Sequence, residues 1–92
     1  MNQAITQLQQ IRAKLSTQTG TQAITQLQEV RHAVDTEAGV HYKGHRLQAL
    51  HLMDRAISQL KQGHKDLAGD AIDKAISQLQ QGVAVAKAAG QK

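Results

Sequence analysis

Histidines and carboxylates cluster between residues 32 and 45 of this sequence, and they are its side chains best suited to chemistry. Three of the five histidines lie there. Imidazole and carboxylate groups are good donors for Zn²⁺, Ni²⁺ or Cu²⁺. Because His41 and His45 are four residues apart, their rings would share one face of a continuous helix and could chelate one ion. The candidate metal ligands are His32, Asp35, Glu37, His41 and His45.

A simpler interpretation of this cluster is a polar turn with solvated side chains. Gly44 lies between the two paired histidines, and the HExxH signature of zinc enzymes does not occur. We therefore favour solvated histidines and no cofactor, and keep a zinc, nickel or copper ion at the cluster as the alternative. His51 stands apart, beside an apolar stripe, and we expect its ring to be half-buried at the edge of the core.

The remaining polar residues do not form a pattern typical of catalysis. There is no cysteine, so the chain has no thiolate nucleophile, no thiolate metal site and no disulfide framework. None of the serines has a histidine and an aspartate nearby in a recognisable nucleophile arrangement. These serines are Ser16, Ser58 and Ser77. The glycines are scattered singly and do not form a phosphate-binding loop. We expect a protein that is not an enzyme.

Basic residues outnumber acidic ones, giving a formal net charge of +4. The densest basic stretch is interrupted by Asp54 and has no aromatic side chain for base stacking beyond Tyr42. The stretch comprises Lys43, Arg46, Arg55, Lys61 and Lys65. We interpret it as a solvated face, so nucleic acid is not an expected partner.

No apolar run approaches the roughly 20 residues that span a bilayer, and no secretory signal is recognisable, so we expect a cytoplasmic protein with no membrane partner.

A repeat of 19 residues organises the chain. The letters AITQLQ occur at Ala4–Gln9 and again at Ala23–Gln28. The related strings AISQLKQG and AISQLQQG occur at Ala56–Gly63 and Ala75–Gly82, with the same offset of 19. Four copies of a unit this long predict four helices joined by short turns. The near identity of the copies is also what a duplicated or deliberately constructed helical scaffold would show.

Composition and apolar spacing both favour an all-α fold. Proline, phenylalanine and tryptophan are absent, and tyrosine occurs once. Apolar residues recur at steps of three and four, as on one face of a helix. They form four stripes: Ile5, Leu8, Ile11, Leu15; Ile24, Leu27, Val30, Val34; Leu50, Met53, Ile57, Leu60; and Ile72, Ile76, Leu79, Val83, Ala86. Short connections imply antiparallel neighbours, so we predict an up-down four-helix bundle that forms a single domain over residues 1–92.

Turn and capping residues place the predicted helices near 3–17, 22–37, 44–62 and 66–88. Short polar residues commonly cap helix starts, and glycine commonly follows a helix end. Gly39 and Gly44 bracket the second break. The predicted N-caps are Asn2, Thr21 and either Asp66 or Asp70, and the predicted residue after the third helix is Gly63.

The predicted core is small, because each helix supplies only about four large aliphatic side chains. Apolar burial in domains of this size barely exceeds the loss of chain entropy. Pairing of two chains would bury more apolar surface, so we hold a homodimer as a hypothesis. The sequence is best interpreted as a helical scaffold or interaction protein that associates with itself or with another helical protein.

The segment Lys43–Gly63 resembles part of a group of small uncharacterised bacterial helical proteins. Those proteins carry a KGGHR-type turn followed by a helix rich in alanine and leucine that ends in AI and a glycine. This chain has one glycine where they usually have two. The resemblance implies no activity; it implies that His45 and Arg46 cap the junction of the second and third helices. The matching residues are Lys43, Gly44, His45, Arg46, Ala49, Leu50, Ala56, Ile57 and Gly63.

Overall fold

Four helices and no strand make up the described part of the chain. The computed structural model describes residues 2–36 and 44–90. The helices are α1 (Asn2–Lys14), α2 (Gly20–Thr36), α3 (His45–Lys61) and α4 (Lys65–Gly90). Their number and their all-helical class are as predicted, and the largest difference in a boundary is at the end of α1, which stops at Lys14 rather than at residue 17.

The helices pack side by side in chain order, and the first also packs on the last. Contacts join α1 to α2, α2 to α3, α3 to α4, and α4 back to α1, with α3 and α4 in the most extensive contact. The radius of gyration is 13.0 Å, close to the ~12 Å expected for a compact domain of this length. The longest dimension, 45 Å, follows from α4, whose 26 residues rise through about 39 Å.

The repeated alanine and leucine of the 19-residue unit form the centre of the core. Ala23, Ala56 and Ala75 are buried, as is Ala4 in the first copy. Their small side chains let neighbouring helices approach closely. The predicted stripes are buried, except that Ile24, Ile76 and Val83 are only partly covered; the side chain of Ala86 lies outside the described part. No charged or polar residue is buried among the described side chains.

The turn between α3 and α4 is set by Gly63, as predicted. Its φ of +82° lies in the left-handed region that favours glycine. The Gly63 N–H donates to the carbonyl of Leu60 at 3.0 Å, and the His64 N–H donates to the carbonyl of Gln59 at 2.8 Å. This pair of bonds is a Schellman motif, which satisfies the last carbonyls of α3.

The predicted caps of α2 and α4 were wrong in position. Thr19, not Thr21, caps α2: the Gln22 N–H donates to Thr19 Oγ1 at 3.2 Å, and the Thr19 N–H donates to Gln22 Oε1 at 3.4 Å. This reciprocal capping box satisfies two backbone groups at once, and so moves the start of the helix back to Gly20. Asp66 and Asp70, the predicted alternatives for α4, lie within that helix. Asn2 is the first residue of α1, and its role as a cap stays a prediction.

Gly44 immediately precedes α3, with a φ of +84°. The Gln48 N–H donates to its carbonyl at 3.0 Å, so the backbone is already turned for the helix. Gly39, the other glycine of the predicted break, lies outside the described residues. Over residues 2–36 and 44–90, no helix combines the length and apolar character of a membrane span.

Candidate functional site

Among the described residues, three arginine–aspartate ion pairs join neighbouring helices at the surface. Arg12 on α1 meets Asp73 on α4, with 3.2 Å between Nε and Oδ1. On α2, Arg31 binds Asp54 of α3 through both carboxylate oxygens, the second bond being 3.2 Å long. The hydrogen bond to Asp54 raises the pKa of Arg31, so this cation keeps its proton. These pairs neutralise part of the basic surface.

The third ion pair involves a predicted metal ligand. Arg46 Nη2 donates to the backbone carbonyl of Asp35 at 2.8 Å and lies 4.0 Å from the Asp35 carboxylate. This contact ties the end of α2 to the start of α3. A guanidinium beside this carboxylate competes with a metal ion for it.

His45 also has a protein partner. Its Nδ1 lies 2.7 Å from Oε1 of Gln78 on α4, a distance at which a protonated Nδ1 donates a hydrogen bond. His45 therefore links the start of α3 to α4, while Arg46 links it to α2.

The structure describes three of the five predicted metal ligands. His32 is exposed on α2 and Asp35 is exposed one turn later, while His45 contacts Gln78. Glu37 and His41 lie outside the described residues. Within the described ranges, no three His, Asp, Glu or Cys side chains are placed to hold one ion. The full five-residue site stays a prediction.

An open groove lies between α3 and α4. It has a volume of about 540 Å³, within the range of small-ligand and side-chain sites. One wall comes from α3 and the other from α4. The lining residues are Leu47, Gln48, His51, Leu52 and Arg55 on α3, and Lys74 and Gln78 on α4.

Two leucines give this groove, hereafter the α3–α4 groove, an apolar surface. They are Leu47, which is 59% exposed, and Leu52, which is partly buried and packs against the core. The other exposed large apolar side chain of the described part, Leu67 at the start of α4, is 50% exposed and does not line the groove. Leu47 and Leu52 fall off the stripe that faces the core, which is the local signal from which this second face of α3 could have been predicted.

The charge of the α3–α4 groove is entirely positive. Arg55 and Lys74 line opposite walls, and no carboxylate lines either wall. Neither cation has an ion pair or hydrogen bond with the described residues. His51 is exposed and lines the groove, so the expectation of a half-buried ring over the core was wrong, because α3 turns this residue away from its buried stripe.

Three further clefts on the described surface differ from this groove because each includes a carboxylate. The cleft between α1 and α2 contains Glu29, the cleft between α1 and α4 contains Asp66 and Asp70, and the one at the start of α4 contains Asp66.

Comparison of the chain with protein-family models, curated proteins and solved structures gave no match.

Proposed function

We propose that this chain is a small helical interaction protein that docks a partner helix along the α3–α4 groove. The observation that carries the proposal is the exposed Leu47 beside the partly buried Leu52 in an open groove. An amphipathic helix binds by laying its apolar face into a groove that offers apolar side chains. A core formed from four helices provides the rigid wall on which such a partner rests.

The dimensions of the groove suit a helix. From Leu47 to Arg55 the α3 wall rises through about 12 Å, which is slightly more than two helical turns. A partner that presents apolar residues at i, i+4 and i+7 would place them along this length. Its ends would remain in solvent, so the interface is small and the expected affinity is modest.

Self-association is the second form of this proposal. Leu47 and Leu67 lie exposed on different helices, and either could contribute to a homodimer. Sedimentation at several concentrations tests it: a mass that rises toward that of two chains and is restored to one chain by Leu47→Asp or Leu67→Asp supports a homodimer. A constant mass of one chain contradicts it.

We also propose that the four helices alternate in direction. The support is the order of contacts between α1 and α4. Lys65, at the start of α4, binds the carbonyl of Gln18, just after α1, whereas Asp73 further along α4 binds Arg12 further back in α1. Along this contact the residue numbers rise in α4 as they fall in α1, which is the pattern expected of antiparallel helices.

Three synthetic helices of equal length test partner docking. All carry leucines at i, i+4, i+7 and i+11, and their flanking positions are glutamine, glutamate or lysine. We expect at least one to shift the amide resonances of residues 47–55 and 74–78 in ¹⁵N–¹H spectra. Leu47→Asp should abolish these shifts. Leu67→Asp, which alters the other exposed leucine, is the matched control and should preserve them.

Docking at this groove is contradicted if none of the three helices binds, or if Leu47→Asp and Leu67→Asp weaken binding equally. Each variant is first compared with the unmodified protein by thermal melting, so that loss of the fold is not counted as loss of the site.

Divalent metal binding at the predicted cluster is the alternative function. Its support is the chemistry of the donor set: imidazole and carboxylate groups gather around the junction of α2 and α3, and the contact of His45 Nδ1 with Gln78 leaves Nε2 of that ring available to an ion. An ion at 100 times its Kd would add about 2.7 kcal/mol of stability. Each kcal/mol raises the Tm of so small a domain by about 4–8 °C.

Thermal melts with zinc, nickel or copper, each repeated with chelator, test the metal site. A chelator-reversible rise that is lost in the variant His41→Ala/His45→Ala supports it. An unchanged Tm with all three ions contradicts it and leaves these histidines as turn and surface residues.

A further inference from the structure

We infer that the α3–α4 groove selects an acidic amphipathic helix, with carboxylates on both sides of an apolar stripe. This inference rests on the proposed docking function and specifies its partner. Leu47 and Leu52 would receive the stripe. Arg55 on one wall and Lys74 on the other would each meet a carboxylate at the flank of the docked helix.

The cations of the groove differ from the arginines elsewhere on the described surface. Arg12, Arg31 and Arg46 each pair with an aspartate of a neighbouring helix. Their charge is therefore largely neutralised within the protein. Arg55 and Lys74 have no such partner among the described residues, so their charge is available to a ligand.

Gln78 adds a hydrogen-bond donor to the same groove. Its Oε1 is occupied by the Nδ1 of His45 at 2.7 Å, which orients the side-chain amide. As oriented, the Nε2 group of Gln78 has no partner in the described part of the chain and is free to donate to a carboxylate. His45 thus acts as a positioning residue for Gln78.

A second copy of this chain does not match the charge of the groove. If two copies paired through this face, Arg55 and Lys74 of both would lie in one interface and repel each other. The described carboxylates lie elsewhere: Asp35, Asp54 and Asp73 are in ion pairs, and Glu29, Asp66 and Asp70 line other clefts. Charge complementarity therefore points to a different, acidic partner.

The leucines argue for a helix rather than a simple polyanion. A nucleic-acid backbone is bound through many cations spread along its length, whereas this groove offers two cations beside an exposed leucine. A ligand that satisfies both features needs carboxylates and apolar side chains at helical spacing.

The test compares affinities of the glutamate, glutamine and lysine helices described above, together with a glutamate helix that lacks leucines. We expect the glutamate helix to bind about tenfold more tightly than the glutamine helix at low salt, with the lysine helix weakest. At about 0.5 M salt the first two should bind almost equally, because salt screens exposed charges. The leucine-free helix should bind far more weakly than its leucine-bearing counterpart.

Two double variants with the same net charge localise the effect. Arg55→Gln/Lys74→Gln should remove the preference for glutamate and leave binding of the glutamine helix unchanged. Lys14→Gln/Lys61→Gln, which alters exposed lysines outside the groove, should preserve the preference.

Three results overturn the inference. Equal affinity for the glutamate and glutamine helices overturns the acidic preference but leaves partner docking intact. Equal affinity for the two glutamate helices, with and without leucines, would make the groove a polyanion site. Absence of binding by all four helices overturns both the docking function and the inference.

Discussion

At the scale of single residues, the arginine–aspartate pairs hold neighbouring helices in register. All three lie at the surface, where solvent and salt weaken Coulomb attraction. The Arg31–Asp54 pair has the best geometry, since two nitrogen atoms of Arg31 reach both carboxylate oxygens. Such a fork gives directional specificity in addition to its modest energy.

Asp54→Asn should lower the free energy of unfolding by about 0.2–1 kcal/mol, the range for exposed ion pairs. Urea denaturation at low salt measures this loss, which should shrink at about 1 M salt. Glu29→Gln is the control, because it removes one exposed carboxylate that has no ion pair with a described residue. Equal losses in the two variants would show that the Arg31 contact adds nothing beyond net charge.

At the scale of elements, the helices are defined by periodicity and by their ends. The 19-residue unit places alanine and leucine on one face in every copy, and each of these is buried. The capping box at Thr19 and Gln22 has the local pattern T-x-x-Q, which is recognisable without a structure. The helix begins after Thr19 rather than after Thr21 because the capping box satisfies two backbone N–H groups, whereas a single capping side chain satisfies one.

Gly63→Ala should lower the free energy of unfolding by about 1–2 kcal/mol, the cost of placing a Cβ in the left-handed region. The cost comes from the backbone alone, because an added Cβ at this position meets no atom within 4 Å. The matched control is Gly20→Ala, at the first residue of α2, where a Cβ would make an ordinary 3.7 Å contact with the carbonyl of Leu60.

Gly20→Ala should be neutral or stabilising by about 0.4–1 kcal/mol, because alanine restricts the unfolded chain. Urea denaturation followed by circular dichroism measures both variants. A loss at Gly20 as large as the loss at Gly63 would contradict the assignment of the left-handed turn as the cause.

At the scale of the whole molecule, stability comes from an aliphatic core that extends through all four helices. Its largest fully buried side chains include Leu8, Leu27, Met53 and Leu79. No aromatic side chain is among the buried residues of the described part, and the chain has no cysteine to form a disulfide. Removal of one leucine should therefore be felt by the entire bundle, because each fills space between several helices.

Leu79→Ala should lower the free energy of unfolding by about 2–5 kcal/mol, through lost burial and the cavity left behind. The matched control on the same helix is Leu67→Ala. Leu79 is 1% exposed and Leu67 is 50% exposed, so the control should change stability by only about 0.5 kcal/mol. Similar effects in the two variants would contradict the packing of α4 described above.

The α3–α4 groove also belongs to this scale, because both helices are needed to form it. On α3, Leu47 and Arg55 are local features of one helical face. Their significance depends on Lys74 and Gln78, which α4 places on the opposite wall. In the sequence, Arg55 is only one member of a basic stretch, and no local pattern marks Lys74.

The amino-acid sequence by itself determined the number of helices, most of the core and the turn at Gly63. These features depend on residues a few positions apart, which periodicity and turn chemistry relate directly. Only the tertiary structure decided the ion pairs, the His45–Gln78 contact and the groove. Arg12 and Asp73, for example, are 61 positions apart. Whether two such residues meet depends on how each helix is rotated about its axis and which helix lies beside it, and those choices are made by the packing of the entire core.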